Sequence, residues 1–423
     1  MKLRFLIIPQ ILFFFGFSFV QSVGTAEASK IFVPRNGNED LNAPQDETLS
    51  IGIMTWNMAE ISPSQDDVAF LKKFKDCDLV ALGVQETENI KPRREEGSRS
   101  REWRRLQMRK FGKKFSPLIM HAMGGLQLTI FARKGLVTEI PIAKVSEVAC
   151  GIGNVLTNKG AICAFLEVRG HKICFINAHM AAHHSKVAER NADYLRIMSE
   201  LSMDIPSEWL SKREYQKSLS SKSRLIAEEY TDGDTEDVSD DDFDLDLEFD
   251  LDQESKITPE DQAQDLLDIV DHHFFFGDLN YRTDLSREDM EECILDSNGD
   301  LDPTTIAELL LYDQLTLERS HGRAFNGFSE GRITFNPTFK YDKSSDEFDT
   351  SPKRRIPAWT DRIVFTSPDG EKNSNVGSVA VQLQEYNSIP SAKHSDHRPV
   401  IAKFLIYHTI KSDSVTSDIT YQH

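Results

Sequence analysis

Short apolar stretches rich in β-branched and aromatic residues recur along the chain, each closed by polar or turn-forming residues. Ile51–Trp56, Leu79–Val84, Leu128–Ala132, Ala161–Val168, Lys172–Ala178, His273–Gly277, Arg362–Phe365, Ser378–Leu383 and Val400–Ile406 have the length and composition of strands. Helical spacing falls between them, at Asp66–Phe74, Arg101–Lys113, a segment beginning near Val187, and Pro259–Asp268. The last opens on Thr258-Pro259-Glu260-Asp261, which predicts an N-cap with proline at the first helical position and an acid at the third. Many strands with few helices predict an α/β protein, a two-sheet β-sandwich flanked by helices. A doubly wound parallel sheet needs a helix after nearly every strand, and Leu166–Ile173 reverses too tightly for that.

Charge changes this picture in one place. The 423 residues carry 49 Lys+Arg against 68 Asp+Glu, a net charge of −19, which excludes a generally basic nucleic-acid binder. Thirteen of the acids, with no Lys or Arg among them, lie between Asp232 and Glu254, leaving −6 for everything else. From about 203 to 256 the sequence is Ser/Lys-rich and then acidic, and cannot bury enough apolar surface to offset the entropy of ordering. It is expected to be a disordered insert, either a passive linker or a tethered competitor for a cationic pocket.

The ends read differently from the middle. Lys2 and Arg4 precede an apolar run from Phe5 to Val20, and Ala26-Glu27-Ala28 follows, the pattern of a signal peptide ending near residue 28. The run is shorter than the roughly 20 residues of a membrane span, which favours cleavage over an uncleaved anchor. Either outcome sends the chain into the secretory pathway, whereas a downstream start would leave it cytosolic. Residues 29–50 read as a flexible leader, 51–407 as one domain carrying the insert, and 408–423 as a polar tail. The five cysteines, Cys77, Cys150, Cys163, Cys174 and Cys293, form no C-x-x-C pair, so a structural zinc site is not expected. Cys163 and Cys174 flank the Arg169-Gly170 turn as core thiols or, in an oxidising compartment, as a cross-strand disulfide.

Chemistry-bearing residues gather where apolar strands meet polar sequence. Asn57, Gln85-Glu86, Asn177 with His179, and Asp278 with Asn280 all follow apolar runs, and Ser395-Asp396-His397 precedes one. One Asp after a strand is an ordinary turn former, but five such junctions place carboxylates, amides and imidazoles around one rim. Oxygen ligands with histidine and no thiolate cluster suit a hard divalent cation, Mg²⁺ or Mn²⁺. The implied reaction is metal-assisted phosphoester hydrolysis.

The wider motif set makes the reading more specific. Thr55-Trp56-Asn57, Gln85-Glu86, Asn158-Lys159-Gly160-Ala161, Asn177-Ala178-His179-Met180-Ala181 and Glu189-Arg190-Asn191 occur in order. Phe276-Gly277-Asp278-Leu279-Asn280-Tyr281-Arg282, Tyr312-Asp313-Gln314-Leu315, Pro337-Thr338-Phe339-Lys340-Tyr341-Asp342, Arg355-Ile356-Pro357-Ala358-Trp359-Thr360-Asp361-Arg362 and Ser395-Asp396-His397-Arg398-Pro399 continue the series. With these the chain resembles the inositol polyphosphate 5-phosphatases of the endonuclease/exonuclease/phosphatase superfamily, from about Ile51 to Ile406 apart from the insert.

The resemblance implies a Mg²⁺-dependent phosphatase removing the 5-phosphate of phosphoinositides, such as phosphatidylinositol 4,5-bisphosphate, or of soluble inositol polyphosphates. It gives Glu86 as the principal metal ligand, with Asn57 beside it and Asp396 contributing. Asp278 and Asn280 would orient the attacking water and the scissile phosphate, with Asp278 as general base. His179 would bind that phosphate, and His397 paired with Asp361 would stabilise the charged transition state. For Asp361 alone, a salt bridge to Arg362 is the structural alternative. Lys340, Lys353 and Arg355 would surround the neighbouring 4-phosphate, with Lys159 lining the same pocket. Two positions depart from the family pattern: Phe339 stands where many relatives carry tyrosine, and Thr157 where glycine is usual.

Lys91–Lys114 holds eleven Lys/Arg and three Glu, with Trp103, Leu106, Met108 and Phe111 interleaved. It reads as a basic amphipathic helix, either in peripheral contact with an anionic membrane or packed on the core through its apolar side chains. The sequence is compatible with two other functional readings. One is a secreted sphingomyelinase- or nuclease-like phosphodiesterase of the same superfamily, and the other a catalytically silent phosphoinositide-binding module.

Overall fold

The computed structural model describes residues 48–88, 97–151, 159–212, 214, 258–296, 300–366 and 381–407. The signal segment, nearly all of the leader, Thr157 and Asn158, residues 215–257 of the insert, Ser378–Ala380 and the tail from 408 lie outside the described residues. Among the described residues no helix is long and apolar enough to cross a membrane.

Strands β1 (Thr48–Asn57) and β2 (Leu79–Gln85) open the fold, joined through a short 3-10 helix at Ala69–Phe74. Helix α1 (Ser98–Phe111) leads to β3 (Phe115–Met123), β4 (Leu126–Arg133), β5 (Ile142–Ala149), β6 (Gly160–Val168) and β7 (His171–His179). Helices α2 (Val187–Ser202) and α3 (Pro259–Ile269) precede β8 (His272–Asp278). Three short helices, α4 (Arg287–Asp296), α5 (Pro303–Leu309) and α6 (Gln314–Ser320), lead to β9 (Ser329–Glu330), β10 (Asp361–Phe365), β11 (Val381–Ser388) and β12 (Val400–Tyr407).

The strands form two six-stranded mixed sheets, ordered β11-β12-β1-β2-β4-β3 and β5-β6-β7-β8-β10-β9. The only parallel pairs among them are β1 with β2 and β7 with β8, one in the middle of each sheet. The architecture is the expected two-sheet sandwich with flanking helices. Because helices cover the outer faces, the central strands are buried on both sides and read as near-continuous apolar runs. Between the sheets Phe274 meets Phe175 and Phe404, with ring centroids 5.4 and 4.9 Å apart. Outside one sheet, Trp103, Leu106 and Phe111 of α1 pack with Trp56, Leu82 and Phe131. Outside the other, Tyr194, Ile197 and Leu201 of α2 and Leu266 of α3 cover Cys163, Phe165, Cys174 and Phe275.

Helix α3 has the N-terminus that Thr258 predicted. The Thr258 hydroxyl accepts from Asp261 N–H at 3.1 Å, and Asp261 accepts from the Thr258 N–H at 3.0 Å, a reciprocal capping box with Pro259 inside it. For α1, the core-packing reading holds for Trp103, Leu106 and Phe111, while Arg105, Arg109, Lys110, Lys113 and Lys114 face solvent. Two boundaries shift from the sequence expectation. Thr48–Ser50, assigned to the leader, pair with β12. Ordered chain also runs past 203, because Ile205 and Trp209 are apolar enough to join the core under β6.

Candidate active site

Register fixes where the functional side chains go. The two central parallel pairs end at the same edge of the sandwich, β1 and β2 at Asn57 and Gln85, β7 and β8 at His179 and Asp278. Strands running the other way start there, with Gly160 opposite His179 and Asp361 opposite Asp278. Thr55 pairs with Val400, so the segment ending at His397 enters β12 at this edge as well. Seven positions distant in sequence, Asn57, Gln85, Gly160, His179, Asp278, Asp361 and His397, thereby share one rim.

A polar bolt between the sheets lies beneath it. Gln85 Nε2 donates to Asn177 Oδ1 at 2.6 Å and to Thr55 Oγ1 at 3.1 Å, while Asn177 Nδ2 donates to Gln127 O at 2.9 Å. Gly83 leaves the room this needs: a Cβ there would come within 2.6 Å of the Asn177 side chain. Gln85 was visible only as the residue before Glu86 and had no role assigned from sequence.

Asp278 is at the centre and almost completely buried. Its Oδ2 accepts from Asn57 Nδ2 at 2.9 Å and lies 3.4 Å from His179 Nε2 and 4.0 Å from His397 Nε2. Its Oδ1 accepts the Asn280 N–H at 3.1 Å. Burial works to raise the Asp278 carboxyl, but the His179 hydrogen bond and the charges of His397 and Lys159 outweigh it and hold the group well below the carboxylate range. His397 Nδ1 sits 2.9 Å from Asp361 Oδ2, which also accepts from Thr338 Oγ1 at 2.7 Å and Thr360 Oγ1 at 2.9 Å. Burial opposes the charge on His397, yet the Asp361, Asp278 and Asp396 carboxylates prevail and lift the imidazole to about 9. His179 is pushed the other way, by burial and by the Lys159 ammonium that contacts its Nε2. The two imidazoles facing Asp278 therefore differ in charge at neutral pH.

Asp361 does not pair with Arg362. Adjacent strand residues point to opposite faces, and Arg362 turns away to Glu330 at 2.7 Å and Asp313 at 2.9 Å. Asp361 is left to the imidazole.

The metal candidates are spread around this centre. Glu86, in the left-handed region at φ +50°, directs Oε1 to 3.7 Å from His179 Nε2 with its side chain 44% exposed. The Asn57 amide is tied at both ends, Nδ2 to Asp278 and Oδ1 from the Ala59 N–H at 2.9 Å, so only a second lone pair remains for an ion. Asp396 Oδ2 pairs with Lys340 Nζ at 3.2 Å, whereas its Oδ1, like Asp361 Oδ1, is buried without a hydrogen-bond partner among the described residues. Ligand-capable atoms of Asp278, Asp361 and His397 lie within 4.8 Å of one another. This surplus of oxygen acceptors fits a hard divalent cation.

The cationic side is only partly assembled. Lys159 and Lys340 reach the cluster as described, and Arg355 is half-buried, its backbone N–H donating to Asp349 Oδ2 at 2.8 Å. Lys353 is exposed on the same loop, with no side-chain contact joining it to the cluster among the described residues. Arg282 reaches the cluster as well. Its Nη2 donates to Asn280 Oδ1 at 2.6 Å, and its guanidinium lies 4.3 Å over the Phe339 ring, which packs 4.5 Å from His397. Asn280 Nδ2 donates in turn to Met180 O at 3.0 Å, so both ends of that amide are fixed. In the sequence Arg282 stands within a motif with no role attached to it; its signal is an arginine two residues after an Asp-x-Asn strand end.

With this geometry in place, comparison with known proteins identifies the family. The model of Endonuclease/Exonuclease/phosphatase family 2 matches residues 54–403, and the chain belongs to that family. Among curated relatives, human phosphatidylinositol 4,5-bisphosphate 5-phosphatase A is 26% identical over 386 residues, 87% of this chain and 32% of its own length. Synaptojanin of Caenorhabditis elegans is 27% identical over 91% of this chain and 28% of its own, and type I inositol polyphosphate 5-phosphatase 13 of Arabidopsis thaliana is 28% identical over 88% and 32%. The chain thus spans about a third of the length of these relatives. A solved inositol polyphosphate 5-phosphatase domain of a synaptojanin, in complex with inositol (1,4)-bisphosphate and calcium ion, superposes with a TM-score of 0.59 at 24% identity, covering 85% of this chain and 84% of that one. Cimex nitrophorin, solved as a ferrous NO complex, gives 0.57 at 18% identity, covering 85% and 99%. Two such different proteins on one fold mean that function has to be argued from the site.

Proposed function

We propose that this protein is a divalent-metal-dependent phosphatase that hydrolyses the 5-phosphate of phosphoinositides, such as phosphatidylinositol 4,5-bisphosphate, or of soluble inositol polyphosphates. The observation that carries the reading is Asp278, buried between the His179 and His397 imidazoles, with Lys159 on His179, Arg282 on Asn280 and Lys340 on Asp396 beside it. The names of the curated relatives support it.

In this reading His179 and Lys159 hold the scissile phosphate, and the Asp278 carboxylate accepts a hydrogen bond from the attacking water. Asp278 is a weak base in the free site, but the arriving phosphate brings like charge and raises its proton affinity. The His397 cation, held by Asp361, stabilises negative charge growing on the phosphoryl oxygens. Lys340 and Arg355, with Arg282 beside them, receive a neighbouring phosphate, Arg as a planar fork and Lys as a point charge. Glu86 would hold the metal, with Asn57 and Asp396 as further oxygen donors. Bound there, a Mg²⁺ or Mn²⁺ ion supplies neutralisation of phosphate charge. The signal-like N-terminus supports export of the protein, and the solvent-facing cations of α1 support peripheral contact with anionic lipid.

A phosphate-release screen over inositol phosphates and phosphoinositides tests this directly. Turnover is expected with Mg²⁺, to disappear in EDTA, and to fall at least ~10²-fold in Glu86→Ala. In the same variant, the Mg²⁺-induced rise in melting temperature should be lost. Full turnover in EDTA would remove the metal from the proposal.

A further inference from the structure

Away from the rim, two thiols meet in the core. Cys163 on β6 and Cys174 on β7 are completely buried. Cys163 stands opposite Ile176, and Cys174 opposite Phe165, so the cysteines are diagonal neighbours on one face of the hairpin. That face is covered by α2 and α3. The two sulfurs lie 2.9 Å apart, against about 2.05 Å in a formed disulfide. Cys77 belongs to the apolar cluster outside the opposite sheet.

We propose that Cys163 and Cys174 are joined by a disulfide across the β6–β7 hairpin when the protein folds under oxidising conditions. The signal-like segment ahead of the domain supplies an independent reason to expect such conditions. The bond forms by exchange with a small-molecule disulfide of the glutathione class. The thiolate of one cysteine attacks a sulfur of the carrier and releases one carrier thiol. The thiolate of the other then displaces the second carrier thiol from the mixed disulfide. Two protein thiols become one disulfide, and the carrier leaves as two thiols with the two electrons and two protons. Exchange belongs to folding rather than to the finished protein, because α2 and α3 then shield both sulfurs and burial pushes the Cys163 thiol well above its ordinary range.

The cross-link would act on the hairpin that serves the rim. Gly160, the residue after Lys159, pairs with His179 at its open end. A one-residue slip of β6 against β7 would turn their side chains to the wrong faces. A covalent tie between Cys163 and Cys174 forbids that slip and closes a short loop around the Arg169-Gly170 turn.

The test refolds the full-length chain in a reduced/oxidised glutathione buffer, denatures it in guanidinium without reductant, alkylates it and measures its mass. The expected result is three alkylated cysteines without reductant and five after reduction, with one cross-linked peptide joining Cys163 to Cys174. Cys163→Ala should alkylate at all four remaining cysteines with or without reductant, a readout that does not depend on its stability. Reductant should lower the melting temperature of the native sequence and leave that of Cys163→Ala unchanged. Five alkylated cysteines without reductant, or a cross-link from either residue to Cys77, Cys150 or Cys293, would overturn the proposal.

Discussion

Asp278→Asn is expected to reduce kcat for phosphate release by about 10³-fold or more while the protein remains folded. The substitution keeps the shape of a side chain that is nearly fully enclosed, so packing around it changes little. What it removes is the anion between His179 and His397, 3.4 and 4.0 Å away, and the acceptor for the attacking water. Asn57 Nδ2 and the Asn280 N–H, both donors to Asp278, would then compete for one amide oxygen. KM should move far less than kcat, because the phosphate is held by Lys159 and His179. Steady-state kinetics beside a melting curve checks this; a variant with kcat within a few-fold of the parent would take Asp278 out of the chemistry.

The second large effect is expected at Asp361. Its Oδ2 is within hydrogen-bonding distance of three groups, the Thr338 and Thr360 hydroxyls and His397 Nδ1. Asp361→Asn withdraws the charge that offsets burial of the His397 cation, so the imidazole is no longer held protonated. Loss of a charged, oriented group facing the transition state is expected to cost about 10²–10³-fold in kcat. Asp361→Glu, which keeps the charge but lengthens the arm, should recover only part of it. Histidine chemical shifts measured by NMR on both proteins separate this account from simple unfolding: the His397 resonances should report a protonated ring in the parent and a neutral one in Asp361→Asn. A ring equally protonated in both would assign the stabilising charge elsewhere.

Most of the strand framework was legible because the central strands are buried on both faces. Ile51–Trp56, Leu79–Val84, Ala161–Val168 and Lys172–Ala178 each fall inside an observed strand, short by one to three residues at the ends. The strands that escaped, β3, β5 and the two-residue β9, lie at sheet edges. Their composition is what edges require: Pro117 sits at an irregularity in the β3–β4 register, and Lys144 and Glu147 face solvent on β5. Three helices also escaped, α4, α5 and α6. The two shorter are seven residues each, too short for a periodic signal, though both carry an aspartate cap, Asp302 and Asp313.

The site divides along a similar line. Asp278, Asn280, His179, His397 and Asp361 stand at strand ends, and pairing brings four of those ends together at one rim. Side chains on loops were harder to place. The family resemblance groups Lys353 with Arg355, but the turn around Asp349 leaves it exposed. Arg282 was passed over because its importance depends on a ring from another segment, Phe339, and on Asn280 beside it. Spacing along the chain carries neither relation. The net charge misled in the same way: the acids of Asp232–Glu254 dominate the total, while the rim gathers Lys159, Arg282, Lys340 and Arg355.

The most direct measurement is the identity of the products from phosphatidylinositol 4,5-bisphosphate presented in vesicles with Mg²⁺. The account predicts one inorganic phosphate per lipid and phosphatidylinositol 4-phosphate as the lipid product, with both formed about 10³-fold more slowly, or slower still, by Asp278→Asn. Phosphatidylinositol 5-phosphate as product, cleavage of a phosphodiester in place of the monoester, or equal turnover by Asp278→Asn would contradict it.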